Sequence, residues 1–385
     1  MKTKSIMARK GWRYYSYNLV LKILSCAGRL TYASDKRSSC CRLIAVAYGG
    51  LGDHLMMLEA ARMASMSTRI GIFANKKFKE FLDVIQGESH VEIRFDLYFY
   101  KNKLDLIKQL FFSKNKTSEV YLNFYENFYT LLLSLFSWQK NVIANQIEKA
   151  ADQYRLSKFE RTVSLLIEVD NGFKRDVPKT LEDIRQNFLK SIKWNKLRNH
   201  EARQLVVSFE KTGSWPAGRL SQSALERVLL SASERGYVTQ IVGTDLQTRN
   251  QVSRTIEKVK TRVSGHIYNH IGQTSPAALI EILQKADIVF TVDSGVAHLA
   301  RCLRKPLLTV FTFSDANEFS WFPEECNVSS VVTHCAPCIP SRTRRCDVNR
   351  QFKCEFSMEC DSEIDEIDLF GKLDLFLDKQ KQMEK

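Results

Sequence analysis

The stretch Ala286-Asp-Ile-Val-Phe-Thr-Val-Asp-Ser-Gly-Val-Ala-His-Leu-Ala300 joins an apolar run to a helical pattern through Asp293-Ser294-Gly295. Ile288 to Val292 read as a strand of a parallel sheet, buried on both faces, because the run is continuous rather than alternating. Val296, Leu299 and Ala300 then recur at helical spacing and form the inner face of the helix that follows. Asp293 suits the N-cap of that helix. The N–H groups of Gly295 and Val296 are left to face a ligand, and the helix dipole favours an anion there. Gly295 also allows a ligand close to the backbone. A strand that runs into a helix through such a junction is how α/β enzymes hold phosphate.

The rest of the chain fits a protein built of such units. With 385 residues it exceeds the size at which a single core keeps growing, so two domains are expected. Its 44% hydrophobic and 26% charged residues are ordinary for a water-soluble globular protein. No run approaches the roughly 20 apolar residues of a membrane helix: residues 129–138 are too few, and Lys22 interrupts residues 19–24. The start lacks an apolar core ending in a small-residue cleavage site, so no export signal is expected, and the expected location is the cytoplasm.

The formal charge of +14 is concentrated at one end. Residues 1–42 contain ten Lys or Arg against the single acid Asp35. The remainder is close to balanced, so the charge gives no support to a nucleic-acid partner. Trp12, Tyr14, Tyr15, Leu19, Val20, Ile23 and Leu24 stand among those cations. Residues 1–41 therefore read either as a segment for an anionic membrane surface or as a helix packed on the protein with a solvated basic face.

From Arg42 strands and helices alternate. Residues 43–48, 69–73, 91–95, 120–124 and 141–144 are strand candidates in the first half. Residues 204–209, 237–242, 287–292 and 307–311 follow in the second. Helices are expected at 54–65, 221–234, 247–258 and 275–285, with a charged, mainly helical connector over 145–202. This is an α/β layout of two doubly wound sheets facing each other across a cleft, with ligands at the C-terminal strand edges. The expected boundaries are 1–41 for the basic segment, 42–200 and 201–330 for the two domains, and 331–385 for a Cys-rich extension with a terminal helix.

The first strand leads into Gly49-Gly-Leu-Gly52-Asp53. The glycine spacing is not that of a dinucleotide fingerprint, and no Walker lysine follows, which argues against a nicotinamide-dependent dehydrogenase. Asp53 then reads as a plain N-cap or as a general base at the cleft edge, within reach of a hydroxyl it deprotonates.

Three stretches resemble the heptosyltransferase family, bacterial enzymes of family 9 with a GT-B fold that use nucleotide sugars and invert the anomeric configuration. They are Gly52-Asp53, Val206-Val-Ser-Phe-Glu-Lys211 leading to Trp215-Pro216, and Ile271-Gly-Gln-Thr-Ser275 through Asp293-Ser-Gly295 to His298-Leu-Ala300 and Pro306. In order and spacing they span roughly residues 42–370. The likeness implies that Asp53 is the base that takes the acceptor's proton. It implies a donor diphosphate site at Ser294, Gly295 and His298, with backbone N–H groups in place of a metal and no catalytic cofactor. Asp293 belongs to that site as the helix cap, since a carboxylate beside a diphosphate would repel it. Asp245 falls where the family binds the ribose hydroxyls, and Gln273 and Thr274 fall in the loop near the base. His298 also reads as a satisfied, partly buried histidine, and Asp245 as an N-cap.

Two departures stand out. Gly213 occupies the position of a phosphate-binding Lys in many relatives, a role left to Lys211 or Arg219. Glu59 and Ala60 stand where a proline often follows Gly-Asp.

Of ten cysteines, Cys335, Cys338, Cys346, Cys354 and Cys360 fall within one short stretch. Cys335-Ala-Pro-Cys338 opens like a metal knuckle, and Cys354 with Cys360 would complete four thiolates, with Cys346 as an alternative ligand. Zinc or iron suits such a set, and free thiols are the plainer reading. The resemblance adds a branch that glycosylates autotransporter proteins and binds iron through cysteines. Such a metal would be structural.

The resemblance therefore implies a metal-independent glycosyltransferase moving a heptose or similar sugar, with ADP-heptose as donor. The acceptor is lipopolysaccharide core at the inner face of the inner membrane, with residues 1–41 docking there, or a protein. The competing expectation is a non-catalytic relative that keeps the fold as a binding or assembly module.

Overall fold

A computed structural model of the chain describes residues 42–47, 50–64, 70–87, 95–102, 105–106, 119–123, 141–144, 157–171, 180–193, 202–209, 220–244, 246–311, 316–322, 330–332 and 366–382. By its internal contacts the chain divides into two compact units. The first comprises residues 1–48, 65–79 and 92–149, and the second residues 49–64, 80–91 and 150–385.

The first unit carries five strands: β1 (Arg42–Val46), β2 (Ile70–Asn75), β3 (Phe95–Tyr100), β4 (Glu119–Asn123) and β5 (Asn141–Ala144). They hydrogen-bond in the order β3-β2-β1-β4-β5, and every ladder is parallel. The strand order reverses between β1 and β4, so the loop after β1 leaves the sheet at its switch point. There the Tyr100 hydroxyl donates to the Ala47 carbonyl at 2.8 Å, and the Ala47 N–H bonds Phe73 O at 2.8 Å. The third strand lies later than the pattern 91–95 suggested, because Phe95 to Tyr100 is the longer β-favouring aromatic run.

The second unit is built on β6 (Gln204–Ser208), β7 (Val238–Ile241), β8 (Ile267–Asn269), β9 (Ile288–Val292), β10 (Leu307–Phe311) and β11 (Ser330–Val332). Their order is β11-β10-β9-β6-β7-β8, again all parallel. Every residue of β9 and β10 is buried, as their unbroken apolar runs predict. Strands β8 and β11 were not foreseen. Each has three residues at a sheet edge, too few to show a period. The Gln204 N–H donates to the Asp287 carboxylate at 2.7 Å, which sets the register of β6 against β9.

The helices are α1 (Leu51–Ala64), α2 (Lys79–Gly87), α3 (Lys158–Asn171), α4 (Leu181–Ser191), α5 (Gln222–Glu234), α6 (Leu246–Lys260), α7 (Pro276–Lys285), α8 (Gly295–Cys302), α9 (Ala316–Phe319) and α10 (Glu366–Gln382). Capping sets several starts. Ser221 and Ser275 accept the N–H of Ala224 and Ala278, and Thr180 forms a capping box with Asp183. Near the chain's end, Leu369, Leu373, Phe376 and Leu377 of α10 enter the core around Val207, Val228 and Phe290. Arg235 grips Asp378 at 2.8 Å, and the Tyr237 hydroxyl donates to Leu377 O at 2.9 Å.

The boundaries expected at residues 200 and 330 follow strand order, whereas contacts group α1 and the connector helices with the second sheet. The reason is packing: α1 lies against α3 and α8. Among the described residues, no helix is long and apolar enough to cross a membrane.

Candidate active site

In the second sheet the order reverses between β6 and β9, so the loops after these two strands leave at the switch point, where doubly wound folds bind ligands. The loop after β9 is Asp293-Ser294. The helix α8 is capped by Ser294 and not by Asp293. Asp293 is buried, and its N–H bonds Val310 O at 3.0 Å, which keeps it in the sheet. The helical turn therefore starts one residue later than its side chain alone suggested.

Ser294 itself does not bond a helix amide. Its hydroxyl lies 3.2 Å from that of Thr291 instead. The cap's own side chain therefore takes none of the first-turn N–H groups of α8. Ala297, Leu299, Ala300, Arg301 and Cys302 anchor the helix from inside, while Val296 is only half-buried.

The opposite wall comes from α1. That helix begins at Leu51, earlier than the expected His54, so Asp53 lies inside its first turn. The Gly50 N–H donates to Asp53 Oδ2 at 2.9 Å, and the His54 Nδ1 lies 2.8 Å from Gly50 O. Asp53 is therefore not the N-cap of the simpler reading. It closes the turn backwards, as the acidic member of a capping box does, and a carboxylate at that end is favoured by the dipole.

Gly52, just before it, packs on His298. A Cβ at Gly52 would stand 2.8 Å from His298 Nε2 and closer still to Cδ2, so the helices meet here only because the side chain is absent. A Cβ at Gly295 would lie 3.3 Å from Leu51 Cδ2, on the same seam. The structure thus joins Leu51 and Gly52 of α1 to Gly295 and His298 of α8.

His298 is held from behind. Trp321 Nε1 donates to His298 Nδ1 at 3.0 Å, and Trp321 is fully buried. Thr274 follows a turn that requires glycine, since Gly272 has φ +67° with its N–H on Gly243 O, and it precedes Ser275, the cap of α7. Nearby His270 bonds Gln240 Oε1 at 2.6 Å, and burial holds its pKa below the ordinary value.

Lys211 and Asp245 lie outside the described residues, as do Gly213, Trp215, Pro216, residues 1–41 and the cysteines 335, 338, 346, 354 and 360. Among the described residues no group of three His, Cys, Asp or Glu could hold a metal ion. Cys302 is fully buried. Burial first, then the charge of Glu59, push its thiol well above the ordinary range, so it stays protonated and unreactive.

The sequence reading missed Trp321 and Glu59 as partners of this seam. Glu59 of α1 pairs with Arg304 just beyond α8, and with Arg62 at 2.6 Å. An acid at a helix position otherwise facing inward was the available signal.

A family-specific sequence profile, "Glycosyltransferase family 9 (heptosyltransferase)", matches residues 136–348, more than half of the chain. The chain belongs to this family. As a family 9 glycosyltransferase it shares its fold with solved members. The E. coli ADP-heptose LPS heptosyltransferase II is 14% identical, over 88% of this chain and 99% of that one, with a TM-score of 0.56. A family 9 glycosyltransferase from Veillonella parvula is 15% identical, over 88% and 97%, with a TM-score of 0.57. The dodecameric iron-containing heptosyltransferase TibC of E. coli, solved with ADP-D-β-D-heptose, is 12% identical over 92% and 79%, with a TM-score of 0.51. At such identities the likeness concerns the fold, which is GT-B, with a parallel α/β sheet in each unit. No curated protein matches the sequence of this family 9 glycosyltransferase significantly.

Proposed function

We propose that the protein transfers a heptose, or a closely similar sugar, from an ADP-linked donor to an acceptor hydroxyl with inversion at the anomeric carbon. The observation that carries this reading is the approach of Gly52-Asp53 to His298 at the start of α8. Asp53 is the next residue after Gly52, and His298 lies in the first turns of α8, so this contact supports reading Asp53 as a base near an anion-binding helix start.

In this mechanism Asp53 accepts the proton of the acceptor hydroxyl as its oxygen attacks the anomeric carbon. The bond from that carbon to the donor phosphate oxygen breaks, and the nucleoside diphosphate leaves. The N–H groups of Gly295 and Val296, with His298, stabilise the charge that develops on the leaving oxygen. Asp245 engages the ribose hydroxyls, Thr274 borders the nucleotide, and Lys211 supplies a cation to the phosphates. Cys335, Cys338 and Cys354 with Cys360 (or Cys346) form a structural zinc or iron site by their spacing. The acceptor class is lipopolysaccharide core or protein, reached at the inner membrane's inner face through the basic residues 1–41 in the first case.

Thermal unfolding against a panel of nucleotide sugars tests the donor. A ligand at 100 times its Kd adds about 2.7 kcal/mol of stability. ADP-heptose is expected to raise Tm, and no shift with any ADP- or UDP-sugar would sink the reading.

Gly52→Ala is a second check, because the new Cβ displaces the His298 ring. Overpacking of this kind destabilises the fold by about 1–3 kcal/mol, and moving the ring off the helix start is expected to weaken ADP binding by about tenfold, or about 1.4 kcal/mol, in calorimetric titration. Unchanged ADP affinity would remove Gly52 from the donor site.

A further inference from the structure

We infer that Trp321 is a positioning residue: it fixes His298 as the neutral tautomer with its proton on Nε2, so that this nitrogen donates to an anionic phosphate oxygen of the donor. The phosphate half of this inference rests on the proposed function; the tautomer half does not.

The indole N–H can only donate. Bonded to His298 Nδ1 at 3.0 Å, it requires a lone pair there. An imidazole without a proton on Nδ1 is neutral and carries its hydrogen on Nε2. Nε2, with Cδ2, forms the ring edge that packs on Gly52, the residue before Asp53.

The indole cannot easily turn away. Phe159 of α3 stacks on it with centroids 4.6 Å apart and planes 7° from parallel, and Phe188 of α4 packs at 5.8 Å. The Ser157 hydroxyl donates to the Trp321 carbonyl at 2.6 Å, tying its backbone to the start of α3. Trp321 is fully buried, so its N–H has no access to water as a substitute acceptor. Rotating the indole would leave that N–H unpaired, and protonating Nδ1 would set two donors against each other. The orientation of His298 is thus enforced from a cluster built by α3 and α4, elements distant in sequence from the phosphate-binding turn.

The test uses the full chain labelled with [15N]histidine. Long-range nitrogen–proton correlation, assigned with a His298→Asn spectrum, distinguishes a bare Nδ1 from a protonated one. Wild type should show a bare Nδ1 and a protonated Nε2. Trp321→Phe keeps the aromatic stack and deletes the N–H. It should let His298 populate the Nδ1–H form or the imidazolium, and weaken ADP binding by about fivefold to tenfold. Phe159→Leu loosens the same cluster but keeps the indole N–H, and should preserve the wild-type histidine signature.

An Nδ1–H signal in wild type, or the same tautomer in Trp321→Phe, overturns the inference. So does a changed tautomer with unchanged ADP affinity, which would detach His298 from the phosphate. If ADP binds none of the proteins, the proposed function fails, and with it the phosphate role, while the tautomer spectra still decide what Trp321 does.

Discussion

Asp53→Asn is expected to lower sugar transfer by about 10²- to 10⁴-fold, the usual contribution of a general base, while leaving ADP affinity close to wild type. The amide is chosen because it separates the two duties of this side chain. Asp53 Oδ2 accepts the Gly50 N–H at 2.9 Å, so the carboxylate also secures the first turn of α1. Asn keeps an acceptor oxygen for that bond but cannot take a proton from a hydroxyl. A drop in kcat with unchanged Tm and unchanged ADP titration marks the base. Wild-type turnover in Asp53→Asn, with a defect appearing only in Asp53→Ala, would mean that Asp53 serves the helix alone. A chain that acts as a binding module would keep its biological role with either variant.

The largest expected effect on stability is at Glu59. Its side chain is fully buried between Arg304 and Arg62, which are themselves only 14% and 16% exposed. One oxygen serves both arginines, and Oε2 has no hydrogen-bond partner among the described residues. The Arg304 guanidinium also lies 4.8 Å above the Phe188 ring, and Arg304 O accepts the Lys193 N–H. Glu59→Ala removes the buried carboxylate that both arginines share. The loss should be about 3–5 kcal/mol, or a fall in Tm of roughly 5 °C by the size scaling of unfolding entropy. Calorimetry of Glu59→Met, Arg304→Met and the double variant checks the cause. The double should be more stable than the sum of the two singles predicts, because it removes the pair and strands less charge. Strict additivity would show that Glu59 and Arg304 are not coupled.

This pair also explains a departure from the family pattern noted in the sequence. Where relatives often carry proline after Gly-Asp, this chain has an uninterrupted helix whose acid reaches a partner 245 residues away. Nothing in the spacing around Glu59 points to Arg304, since ion pairs leave no periodic trace. Trp321 illustrates the same limit. Its role depends on Ser157, Phe159, Phe188 and His298 arriving from other elements.

Local pattern was sufficient for most of the parallel strands and for most of the helices between them, though not for α2. Runs such as Ile288–Val292 and Leu307–Phe311 are unbroken because both faces of a parallel strand are covered, and that constraint is written in consecutive residues. Local chemistry was less reliable at the turns. Asp293 is a better cap than most residues, yet its bond to Val310 holds it in the sheet and passes the cap to Ser294. Asp53 has the composition of a cap and sits inside the helix. At Asp293 a bond from the neighbouring strand moved the helix start by one residue, whereas at Asp53 a bond from Gly50 in the same turn goes with a start three residues earlier.

The amino-acid sequence by itself determined two parallel α/β halves, the family and the turn Asp293-Ser294-Gly295, because each is a matter of short-range period or spacing. Only the tertiary structure decided that α1 groups with the second sheet, that Gly52 must be glycine to admit His298, and that the Trp321 indole donates to Nδ1 of that histidine. Those are close contacts between residues far apart in the chain, and close packing with buried hydrogen bonds is specified by the partners that the fold brings together rather than by either neighbourhood alone.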